Sequence, residues 1–286
     1  MNYLSVCSGI EAATVAWHPL GFNPVAFSEI ESFPSQVLKH HYPTVPNLGD
    51  MTKFKEWQIE SNIDVFVGGT PCQSFSVAGL RKGLDDPRGN LMLTYLAIAK
   101  QYRPRWLVWE NVPGVLSSAD GRDFGSFLGG LAICGYGFSY RVLDAQYFGL
   151  AQRRKRVFLV GYLGDWRPTA AVLFERESLC GNTSQIYGKL RGRGKTITGC
   201  LSTRTGAYDR QELDSLIYDY EAKTVRLLTP VEEERLQGFP DHYTDIKPKG
   251  KPTPDGPRYK ALGNSMAVPV MNWIGQKIKK VEDLIK

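Results

Sequence analysis

Between residues 2 and 162, short apolar runs alternate with segments of helical periodicity, and this alternation limits the possible folds more than any other feature of the chain. The runs at residues 3–7, 25–29, 63–68, 106–110, 139–144 and 157–162 read as strands. Interleaved with helices, they predict a mostly parallel sheet covered by helices, an α/β architecture. Leu91, Tyr95, Ile98 and Tyr102 recur at spacings of three and four, which predicts one buried helix face packed on that sheet. Val270, Ile274, Ile278, Val281 and Ile285 repeat the pattern and predict a closing helix from residue 264 onward. A chain of 286 residues, 42% of them hydrophobic, can bury one large core, or a large and a small one.

Ligands of open parallel sheets bind beyond the carboxyl ends of the strands. Two of the expected strands run out into unusual residues there, Gly69-Thr70-Pro71-Cys72 and Glu110-Asn111-Val112-Pro113. Past residue 163 the alternation fades, and residues 188–205 carry Lys189, Arg191, Arg193, Lys195 and Arg204 without an acid. Such a glycine-punctuated basic stretch reads as a surface, and the net charge of +6 points to an anionic partner, DNA being the obvious polyanion.

The five cysteines, at 7, 72, 134, 180 and 200, form no pair close enough for a zinc knuckle or a CxxC redox site, so reduced thiols are expected. The scattered His18, His40, His41 and His242 suggest no metal site. Residues 1–11 lack the basic and apolar regions of a signal peptide, and no apolar run is long enough to span a bilayer. A soluble cytoplasmic protein with no membrane association is therefore expected.

The most specific pattern is Gly68-Gly69-Thr70-Pro71-Cys72-Gln73-Ser74-Phe75-Ser76, a cysteine behind a proline on a loop leaving a buried strand. It resembles the Pro-Cys-Gln loop of the cytosine-5 DNA methyltransferases of bacteria and phages. Further blocks of that family follow in order: Leu4-Ser5-Val6-Cys7-Ser8-Gly9-Ile10-Glu11-Ala12, Glu29, Asp50-Met51, Glu110-Asn111-Val112 and Gln152-Arg153-Arg154-Lys155-Arg156. Near the end come residues 226–239, with Leu228-Thr229-Pro230 and Gln237-Gly238-Phe239-Pro240, and then Gly263-Asn264-Ser265.

The resemblance implies a Rossmann-like S-adenosylmethionine-dependent methyltransferase fold with an antiparallel last strand and a small target-recognition lobe. Residues 1–163, completed by a helix at 262–286, would form the catalytic lobe, and residues 164–261 the recognition region. The methyl donor, leaving as S-adenosylhomocysteine, would contact Ser8, Gly9, Ile10, Glu29, Ile30, Asp50, Met51, Pro71, Leu91, Asn264 and Ser265. No metal is called for. The partner would be double-stranded DNA acted on by a monomer, with a separately acting restriction endonuclease left open.

The chemistry asks for these residue types. Carbon 5 of cytosine is a poor nucleophile, and a thiolate added at carbon 6 turns the ring into an enamine that can attack the methyl group. The resemblance gives Cys72 this role and Glu110 that of meeting ring nitrogen 3 and the exocyclic amine. Arg156 would hold the carbonyl oxygen, and Arg154 would help set the cysteine loop and an electropositive field. The target atom is inaccessible inside a duplex, so the cytosine must swing out, at about a few kcal/mol of lost stacking and pairing.

Standing alone, such a cysteine would read as a small buried hydrophobe, Glu110 as a helix cap and the arginines as a solvated cluster. The chain also departs from the family pattern. Cys7 and Ile30 stand where aromatics are frequent, and Glu11 where a second glycine is usual, which predicts an altered turn or looser cofactor binding. Two rivals stand beside the reading: a silent DNA-binding scaffold, and an RNA methyltransferase of the same fold. The RNA branch carries a Cys-Phe-Thr tripeptide, absent here, and Cys7-Ser8-Gly9-Ile10-Glu11-Ala12 lacks the GxGxxG of nicotinamide enzymes.

Overall fold

The protein is described by a computed structural model at residues 1–71, 90–174, 201, 216–219 and 223–285. Cys72 and, apart from Leu201, the basic stretch at 188–205 lie outside the described residues.

Six strands form one sheet in the order β2-β1-β3-β4-β6-β5. They are β1 (Asn2–Val6), β2 (Asn23–Ser28), β3 (Val65–Gly68), β4 (Trp106–Asn111), β5 (Tyr136–Asp144) and β6 (Lys155–Leu163). Each expected strand is present with shifted ends. β2 begins two residues earlier than expected, at Asn23-Pro24, because an edge strand tolerates a proline that cannot donate to the ladder. β5 begins three residues earlier, since Tyr136, Gly137 and Phe138 pair with the end of β6.

Strands β1 to β4 pair parallel, whereas β6 runs antiparallel to both β4 and β5. This reversal matters for the site. It brings the beginning of β6, rather than its end, to the edge where β1 to β4 finish.

Side chains alternate across the sheet, as the pleat requires. Trp106 and Val108 enter one core with Tyr3, Trp17 and Ile274, while Leu107 and Trp109 enter the other with Tyr95, Phe127 and Leu131. The first core lies under α1 (Ala12–Trp17) and the carboxyl-terminal α8 (Val268–Ile285), and the second under α3 (Leu91–Tyr102) and α4 (Arg122–Ile133). In α3, Met92 through Ala99 are all buried, so the expected single face is in fact a buried cylinder. The periodic pattern failed there because alanines and Thr94 fill the side turned toward neighbouring elements.

The closing helix begins at Val268 rather than at 264. Asn264 ends α7 (Asp255–Asn264), Ser265 is extended, and Pro269 sits in the first turn of α8, where a missing N–H costs nothing. Val270, Ile274, Ile278 and Val281 are buried as expected, but Ile285 is 47% exposed because the helix has run past its seam by then. The seam is tight. Trp17 Nε1 donates to the Met271 carbonyl at 2.7 Å, and a Cβ at Gly275 would stand 2.5 Å from Trp17 Cδ1. Glu282, on the same helix, accepts from Trp106 Nε1 and Arg105, tying α8 to β4.

The flanks of the 164–261 span share this core. Val172 and Leu173 of α5 (Arg167–Leu173), and Phe239, Tyr243, Ile246 and Ala261, join the cluster that holds Tyr3 and Trp17. A hairpin of β7 (Leu216–Asp219) and β8 (Thr224–Leu227) leads into α6 (Pro230–Gln237), whose start is fixed by a reciprocal bond between Thr229 and Glu232.

Candidate active site

Five chain segments end at the same edge of the sheet. β1 runs into Ser8-Gly9-Ile10, β2 into Glu29, β3 into Gly69-Thr70-Pro71, and β4 ends at Glu110-Asn111, while β6 starts there with Arg156.

The first turn is built for close approach. Gly9 has φ of +56°, a conformation L side chains rarely adopt, and a Cβ there would meet nothing within 4 Å. Its N–H donates to Glu29 Oε2 at 2.8 Å, and Glu31 N–H donates to Oε1 at 2.7 Å, so the carboxylate of Glu29 is held at the strand end with lone pairs to spare. The neighbouring Ile30 is 73% exposed, an apolar surface facing outward beside that acid. Asp50 caps the turn that follows it by accepting from Thr52, and Met51 is buried beneath. Open turn, ribose-height carboxylate and exposed aliphatic together fit a nucleoside cofactor.

The two departures in this turn are structurally resolved. Glu11, left-handed at φ 62°, replaces a glycine at some backbone cost, and it offsets that cost by capping α1. Its carboxyl accepts from Thr14 N at 3.1 Å, from Thr14 Oγ1 at 2.6 Å and from Ser5 Oγ. Burial pushes this carboxyl up to about 7, against the pull of those hydrogen bonds. Cys7 is also left-handed and its Sγ lies 3.5 Å from Met51 Sδ. Burial, with the Glu29 carboxylate adding, pushes the thiol up to about 12, which disfavours the thiolate form of Cys7.

At the centre, Glu110 Oε1 lies 3.1 Å from Arg156 Nε, and the two side chains are only 12% and 15% exposed. Burial raises the Glu110 carboxyl above its ordinary value, opposed by the guanidinium groups of Arg156 and Arg154. Gly69 stands against this carboxylate so closely that a Cβ would lie 3.0 Å from Glu110 Oε2. Pro71 is exposed, and Cys72 follows it in the chain.

Arg154 does not sit in the open beside Glu110. It is 2% exposed, with Nη2 donating to the carbonyls of Gly263 (2.8 Å) and Ser265 (2.7 Å) and Nη1 to that of Leu201 (3.4 Å). It therefore holds the turn between α7 and α8, where Asn264 is exposed and Ser265 buried, and reaches Glu110 only through its field. Leu91, at the start of α3, is half-buried against the second core.

Three residues of this edge escaped the sequence reading as site residues: Thr70, Trp109 and Asn111. Trp109 Nε1 donates to Thr70 Oγ1 at 3.0 Å, and Asn111 Nδ2 to the Thr70 carbonyl at 2.8 Å. Gln152 escaped it too. Fully buried, its amide donates to the Leu236 carbonyl and accepts from Leu201 N–H. Their signal in the sequence was membership of, or position beside, the motifs that hold Cys72, Glu110 and Arg154.

The sheet, with its reversed strand and an acid closing the second strand, defines a Rossmann-like methyltransferase. The description "C-5 cytosine-specific DNA methylase" fits the chain at residues 1–191 and 175–280, and the chain belongs to that family of transferases. It is 35% identical to a DNA N-6-adenine-methyltransferase of Escherichia phage P1, in a match covering 97% of this chain and 61% of that protein. It is 30% identical to the type II methyltransferase M2.BsuMI of Bacillus subtilis (strain 168), covering 98% of this chain and 76% of that one. Among solved structures, the Entamoeba histolytica methyltransferase EhMeth matches with a TM-score of 0.66 at 16% identity, covering 99% of this chain and 98% of that one. The S. pombe Dnmt2 methyltransferase matches at 0.65 and 15%, covering 100% and 99%. At such identities these two speak for the fold alone.

Proposed function

We propose that the protein methylates carbon 5 of cytosine in duplex DNA, taking the methyl group from S-adenosylmethionine. One observation carries the reading: a shielded carboxylate–guanidinium pair, Glu110 with Arg156, stands one strand away from the Gly69-Thr70-Pro71 run that leads to Cys72.

The donor would lie across Gly9, Glu29, Ile30 and Asp50, with Asn264 and Ser265 closing over it. Bound there, it supplies an electrophilic methyl group on a sulfonium. The Cys72 thiolate adds to carbon 6 of a flipped cytosine, and the electron pair of the 5,6 double bond becomes available at carbon 5. Glu110, whose burial favours the protonated form, gives its proton to nitrogen 3 as that charge develops and accepts from the exocyclic amine. Arg156 donates to the carbonyl oxygen and keeps Glu110 oriented. Once carbon 5 is methylated, a base removes its proton, the 5,6 double bond re-forms as the Cys72 thiolate leaves, and nitrogen 3 returns its proton to Glu110.

DNA would be met by the 164–261 span, with the run of Lys189, Arg191, Arg193, Lys195 and Arg204 as the candidate phosphate contacts. A type II pairing with a separate endonuclease is suggested by the type II methyltransferases among its relatives, M2.BsuMI included. The P1 protein's adenine specificity is the alternative those names raise, and two-fifths of that protein lies outside the match. An adenine amino group is its own nucleophile and needs no thiol, so the Pro71-Cys72 loop favours cytosine.

The test is transfer of labelled methyl from S-adenosylmethionine to duplex DNA by the wild type and by Cys72→Ser, with transfer RNA in parallel and the product digested to nucleosides. The expected product is 5-methylcytosine in DNA, lost in the variant. N6-methyladenine, label in RNA alone, or DNA binding without label would each overturn the proposal.

A further inference from the structure

The two residues that flank Glu110 on β4 both reach across to one residue of the neighbouring loop. Trp109 donates its indole N–H to the Thr70 hydroxyl at 3.0 Å, and Asn111 donates its amide to the Thr70 carbonyl at 2.8 Å. The same Asn111 amide accepts from Val112 N–H at 2.8 Å, so its orientation is set from its own strand. Thr70 is 3% exposed and Trp109 fully buried, which keeps water from competing for either bond.

We propose that Thr70 is a positioning residue whose two bonds to Trp109 and Asn111 fix, relative to Glu110, the point from which the chain runs on to Cys72. The inference rests on the roles proposed above for those two groups. The thiolate must meet carbon 6 and the carboxyl nitrogen 3 of one pyrimidine ring, so their spacing is an absolute requirement of the reaction. Cys72 lies two residues beyond Thr70, and two residues span at most about 7 Å. Pro71 between them has a fixed φ, which leaves the chain fewer ways to continue. Thr70 is thus pinned by side chain and main chain to the residues on either side of Glu110, so the loop departs from a point fixed relative to that carboxyl. Gly69 lets the loop approach this closely, since a Cβ there would press on Glu110.

The test uses random-sequence duplex DNA containing 5-fluorocytosine in place of cytosine, whose fluorine cannot leave as a proton and which therefore traps the covalent adduct after methyl transfer. Wild type, Thr70→Val, Trp109→Phe, the double variant and Thr70→Ser are compared by rate of adduct formation, with DNA and cofactor affinity and thermal midpoint measured alongside. Thr70→Val keeps the shape and removes only the hydroxyl. Each single variant is expected to slow adduct formation about five- to tenfold, the loss of one neutral buried bond. The double variant is expected to be no slower than either single one, and Thr70→Ser to restore the wild-type rate, with affinities unchanged. Trp109→Phe reads the bond from its other end if Thr70→Val does not fold. A wild-type adduct rate in these single variants, or losses that multiply in the double, would overturn the inference while leaving Cys72 in its role. No adduct in the wild type itself would overturn the reading of Cys72 and this inference with it.

Discussion

Replacing Gly69 by alanine places one methyl group against the Glu110 carboxylate, and the structure says what must give. The new Cβ would lie 3.0 Å from Glu110 Oε2, 3.2 Å from the Glu110 carbonyl oxygen and 3.5 Å from Met266 Cε. The Met266 contact is ordinary, and the two oxygen contacts are short by a few tenths of an ångström. The carbonyl belongs to β4, in register with Phe158 of β6, and cannot retreat without disturbing the ladder. The carboxylate can swing, but only by leaving its 3.1 Å contact with Arg156. Overpacking of this size costs about 1–2 kcal/mol. Gly69 is not left-handed, so alanine recovers about 0.5 kcal/mol by restricting the unfolded chain. At roughly 2 °C per kcal/mol for a chain of this size, the thermal midpoint should fall by only about 1–3 °C. Methyl transfer should fall much further, about ten- to a hundredfold in kcat, because catalysis depends steeply on the placement of the reacting groups. The assay is labelled methyl transfer alongside thermal unfolding. An unchanged kcat would refute the reasoning, and so would a collapse of the midpoint by about 10 °C with activity lost in proportion.

Three further outcomes are expected. Glu11 is raised from its ordinary 4.5 to about 7, so the folded state holds a proton that the unfolded chain has released. Its contribution is therefore full below pH 4.5 and is lost as pH rises through 7, a change of about 3 kcal/mol. Glu11→Gln should remove that share of the decline in urea unfolding from pH 4.5 to 8, whereas an unchanged slope would count against it. Arg154→Lys loses the fork that holds the Gly263 and Ser265 carbonyls, at about 2–3 kcal/mol, and calorimetric titration should show weaker S-adenosylmethionine binding. Arg156→Gln removes a cation that draws the Glu110 carboxyl down, so the alkaline limb of the kcat–pH profile should move to higher pH as kcat falls; a downward move would contradict the pairing.

The architecture was legible in the sequence because strands that share a buried sheet must be apolar and helices between them must repeat every three to four residues. All six strands and the closing helix follow from that local requirement, and the roles proposed for Cys72, Glu110 and Arg156 rest on motifs contiguous in the chain. Where local pattern was ambiguous the reading slipped. Alanines hid the burial of α3 all round from Met92 to Ala99, and Pro269 with extended Ser265 displaced the start of α8.

Tertiary structure decided the rest, because the contacts that matter join distant parts of the chain. Arg154 and Arg156 stand two residues apart in sequence, yet one is buried under carbonyls 109 and 111 residues away while the other meets Glu110. Glu11 looked like a damaged glycine turn and is a buried helix cap. Only the reversal of β6 brings Arg156 to the strand ends at all. Sequence determined which groups the protein possesses, through the periodicity and motifs that each segment must satisfy on its own. Which of them face one another was decided by the order and direction of strands, a property that no single segment carries.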